Sequence, residues 1–410
     1  MKINSQRLMD EIETYSTYGQ QANGGITRPS FSEKDFEVRS LFIRQLKALG
    51  MDVRVDAIAN IWGTIPGNGT SEHPIAVGSH LDTVPNGGKF DGALGVLAAK
   101  EIVQTLQENH IVLNHPLQVV SFTAEESNEF NFSTMGSRAF TGKLATDDLQ
   151  DATNSEGLRL QEAVARAGGN LANIGSEPKT ALAAFFELHI EQGRKLEKRN
   201  LPIGIVNSIV GIHRDLVTVR GDQNHSGTTM MEDRRDALAA AGEMVITVQK
   251  LAKELQTDAV ATVGKFEVLP NAANIIPGQV DFTLEVRSAD RKERQALVNG
   301  IHQSFEEIRN RHGVEVTLEN IYDTREQEFD RDLIGFLKDA AETADIPYAI
   351  MPSMAGHDAM HLTEHTKTAM LFVKSVKGVS HNPEELSLAE DIERSVNVLL
   401  HAILLADRRL

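Results

Sequence analysis

One glycine-rich stretch, Gly78-Ser-His-Leu-Asp-Thr-Val-Pro-Asn-Gly-Gly-Lys-Phe-Asp-Gly-Ala-Leu-Gly95, constrains the fold of this chain more than any other. It leaves an apolar run, Pro74-Ile-Ala-Val, passes through a loop with Pro85, Gly87 and Gly88, and enters the helix-forming run Ala93-Leu-Gly-Val-Leu-Ala-Ala-Lys. Strand, bent loop and helix in succession form the unit from which parallel α/β sheets are wound, with polar groups collected at the carboxyl ends of strands. His80 and Asp82 stand two apart, so extended backbone projects both to one side. Asp91 lies at the mouth of the following helix, where free amides favour an anion. An imidazole and a carboxylate delivered to one spot suit a divalent metal. Taken alone, the same residues also suit an N-capping Asp beside a solvated His.

The alternation continues along the chain. Residues 3–17 and 32–49 read as helices, the second started by Ser32 and closed by Gly50. Val53, Val55 and Ile58 to Ile65 read as a hairpin, Ile75 to Ser79 as a strand, and Gly92 to Glu108 as a helix. The strand Leu117 to Phe122 delivers Glu125 and Glu126 just past its end. Adjacent carboxylates repel unless one is bound to a cation, which leaves the other free as a base; surface Glu pairs are also common. Residues 133–180 are more irregular, with helical stretches near 147–151 and 158–167. A buried strand from Ala183 then ends in His189 and is followed by Gln192-Gly193.

Between Gly211 and Asp323 the pattern changes. Strands at 216–220, 259–269, 279–287 and 314–318 and helices at 233–255 and 290–311 give the order β-α-β-β-α-β, the ferredoxin-like split arrangement. It reads as a domain of residues 211–324 inserted into one made of 1–210 and 325–410, and at 410 residues two domains are the prior. The chain ends with a helix at 333–344, a loop carrying Gly356-His357-Asp, a strand at 370–373, Ser380-His381-Asn-Pro and a helix at 389–407.

Composition narrows the chemistry. There is no Cys, so any metal must be held by His and carboxylates, a set that suits catalytic rather than structural zinc. The net charge of -17 and the absence of a basic cluster argue against a nucleic-acid partner. No apolar run approaches the roughly 18 residues of a membrane span and the start is polar, so a cytoplasmic protein without membrane contact is expected.

Five residues, His80, Asp91, Glu126, His189 and His381, thus fall at loop mouths of one predicted sheet, as many as two metals sharing a carboxylate require. On Gly78-Ser-His-Leu-Asp-Thr, Gly87-Gly-Lys-Phe-Asp-Gly, Glu125-Glu126, Glu187-Leu-His-Ile-Glu-Gln-Gly, Asn224-His-Ser-Gly, Gly356-His-Asp and Ser380-His-Asn-Pro, the chain resembles the dinuclear-metal exopeptidase and aminoacylase superfamily. It is most similar to the hydantoinase/carbamoylase branch, with its N-carbamoyl-L-amino acid hydrolases and allantoate amidohydrolases, over nearly its whole length.

The resemblance implies an α/β aminopeptidase-like catalytic domain carrying the inserted ferredoxin-like unit as a lid and dimerisation domain. It implies that His80 and His189 hold one metal, Glu126 and His381 the other, and Asp91 bridges them. Asp82 would orient His80, and Glu125 would be the base that moves a proton from the attacking water to the leaving nitrogen. Substrate-binding groups would be Gln192, His225, Asn274, Arg287, Gly356 and His357, although Arg287 within a strand equally suits a surface ion pair. Two divalent ions per subunit are implied, and Zn, Mn, Co and Ni all fit the ligand set. Ser226 and Met230 stand where relatives are expected to carry Ala and Pro, and His213 lies in variable sequence beside the expected pocket.

The expected activity is hydrolysis of the ureido group of an N-carbamoyl-L-amino acid or allantoate, releasing ammonia and carbon dioxide. The alternatives are allantoate alone, or a dipeptidase or N-acyl amino acid amidohydrolase of the same superfamily. A purely binding role would require loss of Glu125 or of a ligand, and none is lost. A homodimer through the inserted domain is expected, because a split sheet leaves an edge that needs cover, with His225 reaching the partner's site.

Overall fold

Strands Leu117–Phe122, Ile75–His80, Ala184–Ile190 and Lys367–Val373 lie side by side and parallel in this order, with Ile75 opposite both Leu117 and Ala184, and Lys367 opposite Ala184. Their side chains are almost all buried, as both faces of a parallel sheet must be. This computed structural model describes residues 1–176 and 180–410. The irregular reach expected over 133–180 therefore includes three positions, 177–179, outside the described residues. The parallel register brings the carboxyl ends of these strands to one edge, where His80, Glu125, Glu126 and His189 emerge.

Antiparallel strands flank this centre. Asp52–Val55 and Ile61–Ile65 form the expected hairpin on one side. On the other, Ile203–Ile209 pairs antiparallel with Lys367–Val373, and Tyr348–Ser353 pairs with Ile203–Ile209. Neither of these last two strands is evident in the sequence, where Gly204 interrupts one, just after Pro202, and Pro352 the other. The sheet is consequently mixed. Helix Ala93–Glu108 is buried along nearly its whole length, and Leu97, Ile102, Val119, Phe186, Leu371 and Leu399 belong to one continuous core. Ser32 caps helix Glu33–Ala48 by accepting the N–H of Asp35, as the sequence predicts.

Chain contacts divide the protein into two units, Met1–Asn207 with Glu328–Leu410, and Ser208–Gln327. The N–H of Phe329 donates to the carbonyl of Asn207 at 3.0 Å, so the larger unit loses and regains the chain at one place. Within Ser208–Gln327 the elements follow β-α-β-β-α-β. The strands stand in the order Glu315–Thr324, Gly211–Arg220, Gln279–Ser288, Val260–Leu269, all antiparallel. Inward and outward residues alternate along Gln279–Ser288, and Val217, Phe282 and Leu284 pack with Met244 and Phe305 of helices Ala237–Glu254 and Arg291–His312. Asp236 and Asp290 cap these helices.

Candidate metal centre and active site

The Asp91 carboxylate is the centre of the site. Its Oδ1 lies 3.1 Å from His189 Nε2 and 3.6 Å from His80 Nε2, while its Oδ2 lies 3.4 Å from His381 Nε2. His381 Nε2 is in turn 3.2 Å from Glu126 Oε1. Two sets of ligating atoms thus share Asp91, His80 with His189 and Glu126 with His381. The sequence-predicted five residues are brought together at the carboxyl edge of the sheet.

The protonation pattern fits metal binding. His80 Nδ1 faces the carbonyl of Asp82 at 3.0 Å and His189 Nδ1 that of Ile190 at 3.0 Å, so each ring donates from Nδ1 and turns its Nε2 lone pair to Asp91. The N–H of Gly92 donates to His189 Nε2 at 3.3 Å, which requires that lone pair. His80 Nε2 is buried without a hydrogen-bond partner. An orphaned imidazole nitrogen aimed at a carboxylate is what a bound cation would satisfy. Contacts with Asp91 and Glu126 push the His381 imidazole up to about 10, and the carboxylates that favour that proton favour a divalent cation in its place.

Gly92 is needed here on two counts. Its φ is 64°, in the left-handed region, and a Cβ there would fall into the His80 ring. Ala124, Gln192 and His381 hold the same unusual conformation with side chains present, at φ 56°, 57° and 55°. Each borders or belongs to the site, where such backbone is most often retained.

Glu125 lies beside the cluster, with Oε2 3.6 Å from His80 Nε2. Burial, with Glu126 and Asp358 close by, pushes its carboxyl well above the usual carboxylate range, although His80 pulls the other way. Asp82 reaches His80 Nδ1 chiefly through its carbonyl at 3.0 Å, with carboxylate Oδ1 3.6 Å from the same nitrogen. The carboxylate accepts Ser30 Oγ–H at 2.7 Å and the N–H of Glu126 at 3.1 Å, which fixes the peptide carrying the two glutamates. A short side chain serves the nearer backbone donors first.

Gln192 Nε2 donates to Asp91 Oδ2 at 2.8 Å and so steadies the shared carboxylate. His357 is buried, packs its ring edge-on to His189 at 4.4 Å and contacts Ser353 Oγ at 3.1 Å. Burial and the neighbouring His189 hold it well below the usual imidazole range, which keeps it neutral. Gly356 before it is exposed.

The remaining predicted residues belong to Ser208–Gln327. His225 is exposed and pairs across a short ladder with Ile275, and Ser226 N–H donates to the carbonyl of the exposed Asn274 at 3.1 Å. Met230 is 62% exposed. Arg287 pairs with Glu285 at 2.7 Å, the ion pair that its strand position equally suited. His213 meets Asp215 and Asn320 of its own unit.

Sequence reasoning missed Glu385, Ser380 and Glu187. Glu385 accepts the N–H groups of Phe90 and Asp91 at 2.9 and 3.1 Å, and Ser380 Oγ–H reaches Asp91 Oδ2 at 2.9 Å. Burial, aided by Asp91, pushes the Glu385 carboxyl up to about 7. Glu187 accepts Ser79 Oγ–H at 2.7 Å and the N–H of Ala359 at 2.8 Å. A charged residue in the middle of the apolar strand Ala183 to Ile190 is the signal that could have revealed Glu187.

Residues 76–405 match the model of peptidase family M20/M25/M40. The chain is 38% identical to an N-carbamoyl-L-amino acid amidohydrolase of Geobacillus stearothermophilus, over 98% of each chain. It is 34% identical to an allantoate amidohydrolase of Bacillus subtilis, over 96% of this chain and 95% of that one. A crystal structure of a hydantoinase/carbamoylase family amidase from Burkholderia multivorans superposes with a TM-score of 0.91 at 33% identity, covering 99% of this chain and 98% of that one.

Proposed function

This chain belongs to peptidase family M20/M25/M40, and from that membership we propose that it is a metal-dependent amidohydrolase acting on the ureido group of N-carbamoyl-L-amino acids or allantoate, with release of ammonia and carbon dioxide. The reading draws on relatives named for those activities and on one observation, the Asp91 carboxylate set between the His80–His189 pair and His381 with Glu126. His80, His189 and Asp91 would hold one divalent ion, and Glu126, His381 and Asp91 a second. When bound, such ions polarise a carbonyl and lower the pKa of water.

The protein's own groups do the rest. Glu125, kept apart from the shared carboxylate, takes a proton from the attacking water and passes it to the departing nitrogen. Its raised pKa lets the carboxyl hold that proton between the two transfers, the requirement of a base that later serves as an acid. Arg287 would take the substrate carboxylate, the guanidinium exchanging Glu285 for the substrate, while Asn274 lies at the other end of strand Gln279–Ser288, next to Ser226 and His225. His225 would donate to the carbonyl oxygen as it gains charge. The exposed edge strand Val260–Leu269, with Val260 45% and Leu269 51% exposed, supports a homodimer formed through Ser208–Gln327.

The direct test measures ammonia release from a panel of N-carbamoyl-L-amino acids and allantoate, with Mn, Co, Ni or Zn added to metal-stripped protein. Turnover of at least one ureido acid, dependent on metal, is expected. Hydrolysis of N-acyl amino acids or dipeptides with no turnover of ureido acids would overturn the reading.

A further inference from the structure

His213 and Asp215 stand two apart on strand Gly211–Arg220, so both point to the face that the helices cover, and His302 of helix Arg291–His312 reaches the same point. His302 Nε2 lies 2.7 Å from Asp215 Oδ2, and His213 Nε2 lies 2.9 Å from Asp215 Oδ1. The ligating atoms of all three fall within 4.8 Å of one another. Asp215 is 1% exposed, and its ion-pair partners among the described residues are these two imidazoles.

His213 Nε2 is sealed from solvent, and the group it faces is Asp215 Oδ1 at 2.9 Å. Burial opposes the charge on Asp215, yet the two histidines hold its carboxyl below the usual carboxylate range, so a carboxylate anion is stable there. A carboxylate and two imidazole nitrogens converge on one point. We propose that His213, Asp215 and His302 form a binding site for a divalent transition metal, sharing no residue with the Asp91 centre, that fastens strand Gly211–Arg220 to helix Arg291–His312.

The donor set selects the class of ion. Two imidazoles and one carboxylate suit zinc, cobalt or nickel, whereas calcium and magnesium require a shell of oxygens. Two ligands of a tetrahedral zinc stand about 3.3 Å apart, so His302 would withdraw from Asp215 by roughly half an ångström. Rotation of a side chain that is 31% exposed supplies that movement, and the same exposure leaves a path for the ion and a coordination position for water. Asn320, opposite Asp215 on the neighbouring strand, would steady the carboxylate, since its amide N–H donates to Asp215 Oδ1 at 3.1 Å.

The test counts zinc per chain by equilibrium dialysis and elemental analysis of the full-length protein, in wild type and in His302→Gln. The glutamine amide keeps a hydrogen bond to Asp215 and removes a strong ligand, so the fold is retained, which circular dichroism verifies. The proposal expects one zinc fewer in the variant. Equal zinc in both chains, through neither binding at this cluster or through adventitious zinc only, overturns it. Both chains are identical at the Asp91 centre, so failure of the dinuclear reading alters both counts equally and leaves the difference intact. A second arm uses Asp91→Ala: one zinc remaining in that variant and none after His302→Gln is added supports the site, and none remaining in Asp91→Ala overturns it.

Discussion

The N–H of Asp91 donates to Glu385 Oε1 at 3.1 Å, so the residue shared by both sets of ligands is held from the backbone by a carboxylate that follows His381 by four positions. Phe90 N–H joins the same oxygen, and Ser380 Oγ–H bridges the Asp91 and Glu385 carboxylates at 2.9 and 3.3 Å. The two loops that carry Asp91 and His381 are thereby clamped to one another. Glu385→Gln keeps the shape but removes the charge that holds two amides, and metal affinity should fall by about tenfold to a hundredfold, as for other partners of metal ligands. Competition against a chromogenic chelator measures this. Unchanged affinity would show that Glu385 only fills space.

Glu125→Gln should separate binding from chemistry. The substitution leaves all five candidate ligands in place, so metal content should match wild type while turnover drops by about a hundredfold to ten-thousandfold. Elemental analysis and a steady-state assay on the same preparation check both halves. Near-normal turnover would remove Glu125 from the role of base.

Arg287 offers a choice between substrate anchor and surface ion pair. If it takes the substrate carboxylate, an N-carbamoyl amino acid whose carboxylate is amidated should lose about tenfold to a hundredfold in kcat/KM in the wild type. That loss should vanish in Arg287→Ala, where neither substrate has a partner. Discrimination of equal size in both proteins would leave Arg287 as the partner of Glu285 alone. Arg287→Lys should behave much as the Ala variant, since an ammonium cannot supply two parallel bonds.

His225 tests the assembly. In a homodimer with shared sites, inactive His225→Ala and inactive Glu125→Gln subunits should regain part of the activity after exchange, because one site of each heterodimer then holds both wild-type groups. No recovery in heterodimers verified by two different affinity tags would place His225 outside the partner's site.

The sequence discloses the ligands because their spacing carries chemistry at the level of secondary structure. His80 at a strand's end, Glu125-Glu126 beyond the next and His189 on a third are each visible from apolar runs that stop at polar residues. The parallel register that unites them follows from the strand-helix alternation. The residues that hold the ligands are not visible in this way. Asp82 works through its carbonyl on His80 and through its carboxylate on the Glu126 amide, and Gln192 reaches Asp91 from a residue whose own backbone adopts φ 57°. Glu385 meets Asp91 across 294 positions, a contact set by tertiary packing alone. The short strands Ile203–Ile209 and Tyr348–Ser353 are hidden for a related reason: each is too broken by Pro or Gly to show a period, and each is held by a neighbouring strand.

The hydrogen bond from Phe329 N–H to the Asn207 carbonyl has a thermodynamic meaning for the larger unit. A disordered segment of the same length would exact a closure entropy each time Asn207 and Phe329 met, growing with the logarithm of the number of residues. A segment that folds on its own core with its ends side by side removes that dependence. To the host sheet, Ser208–Gln327 counts as little more than a hairpin turn, whatever its length.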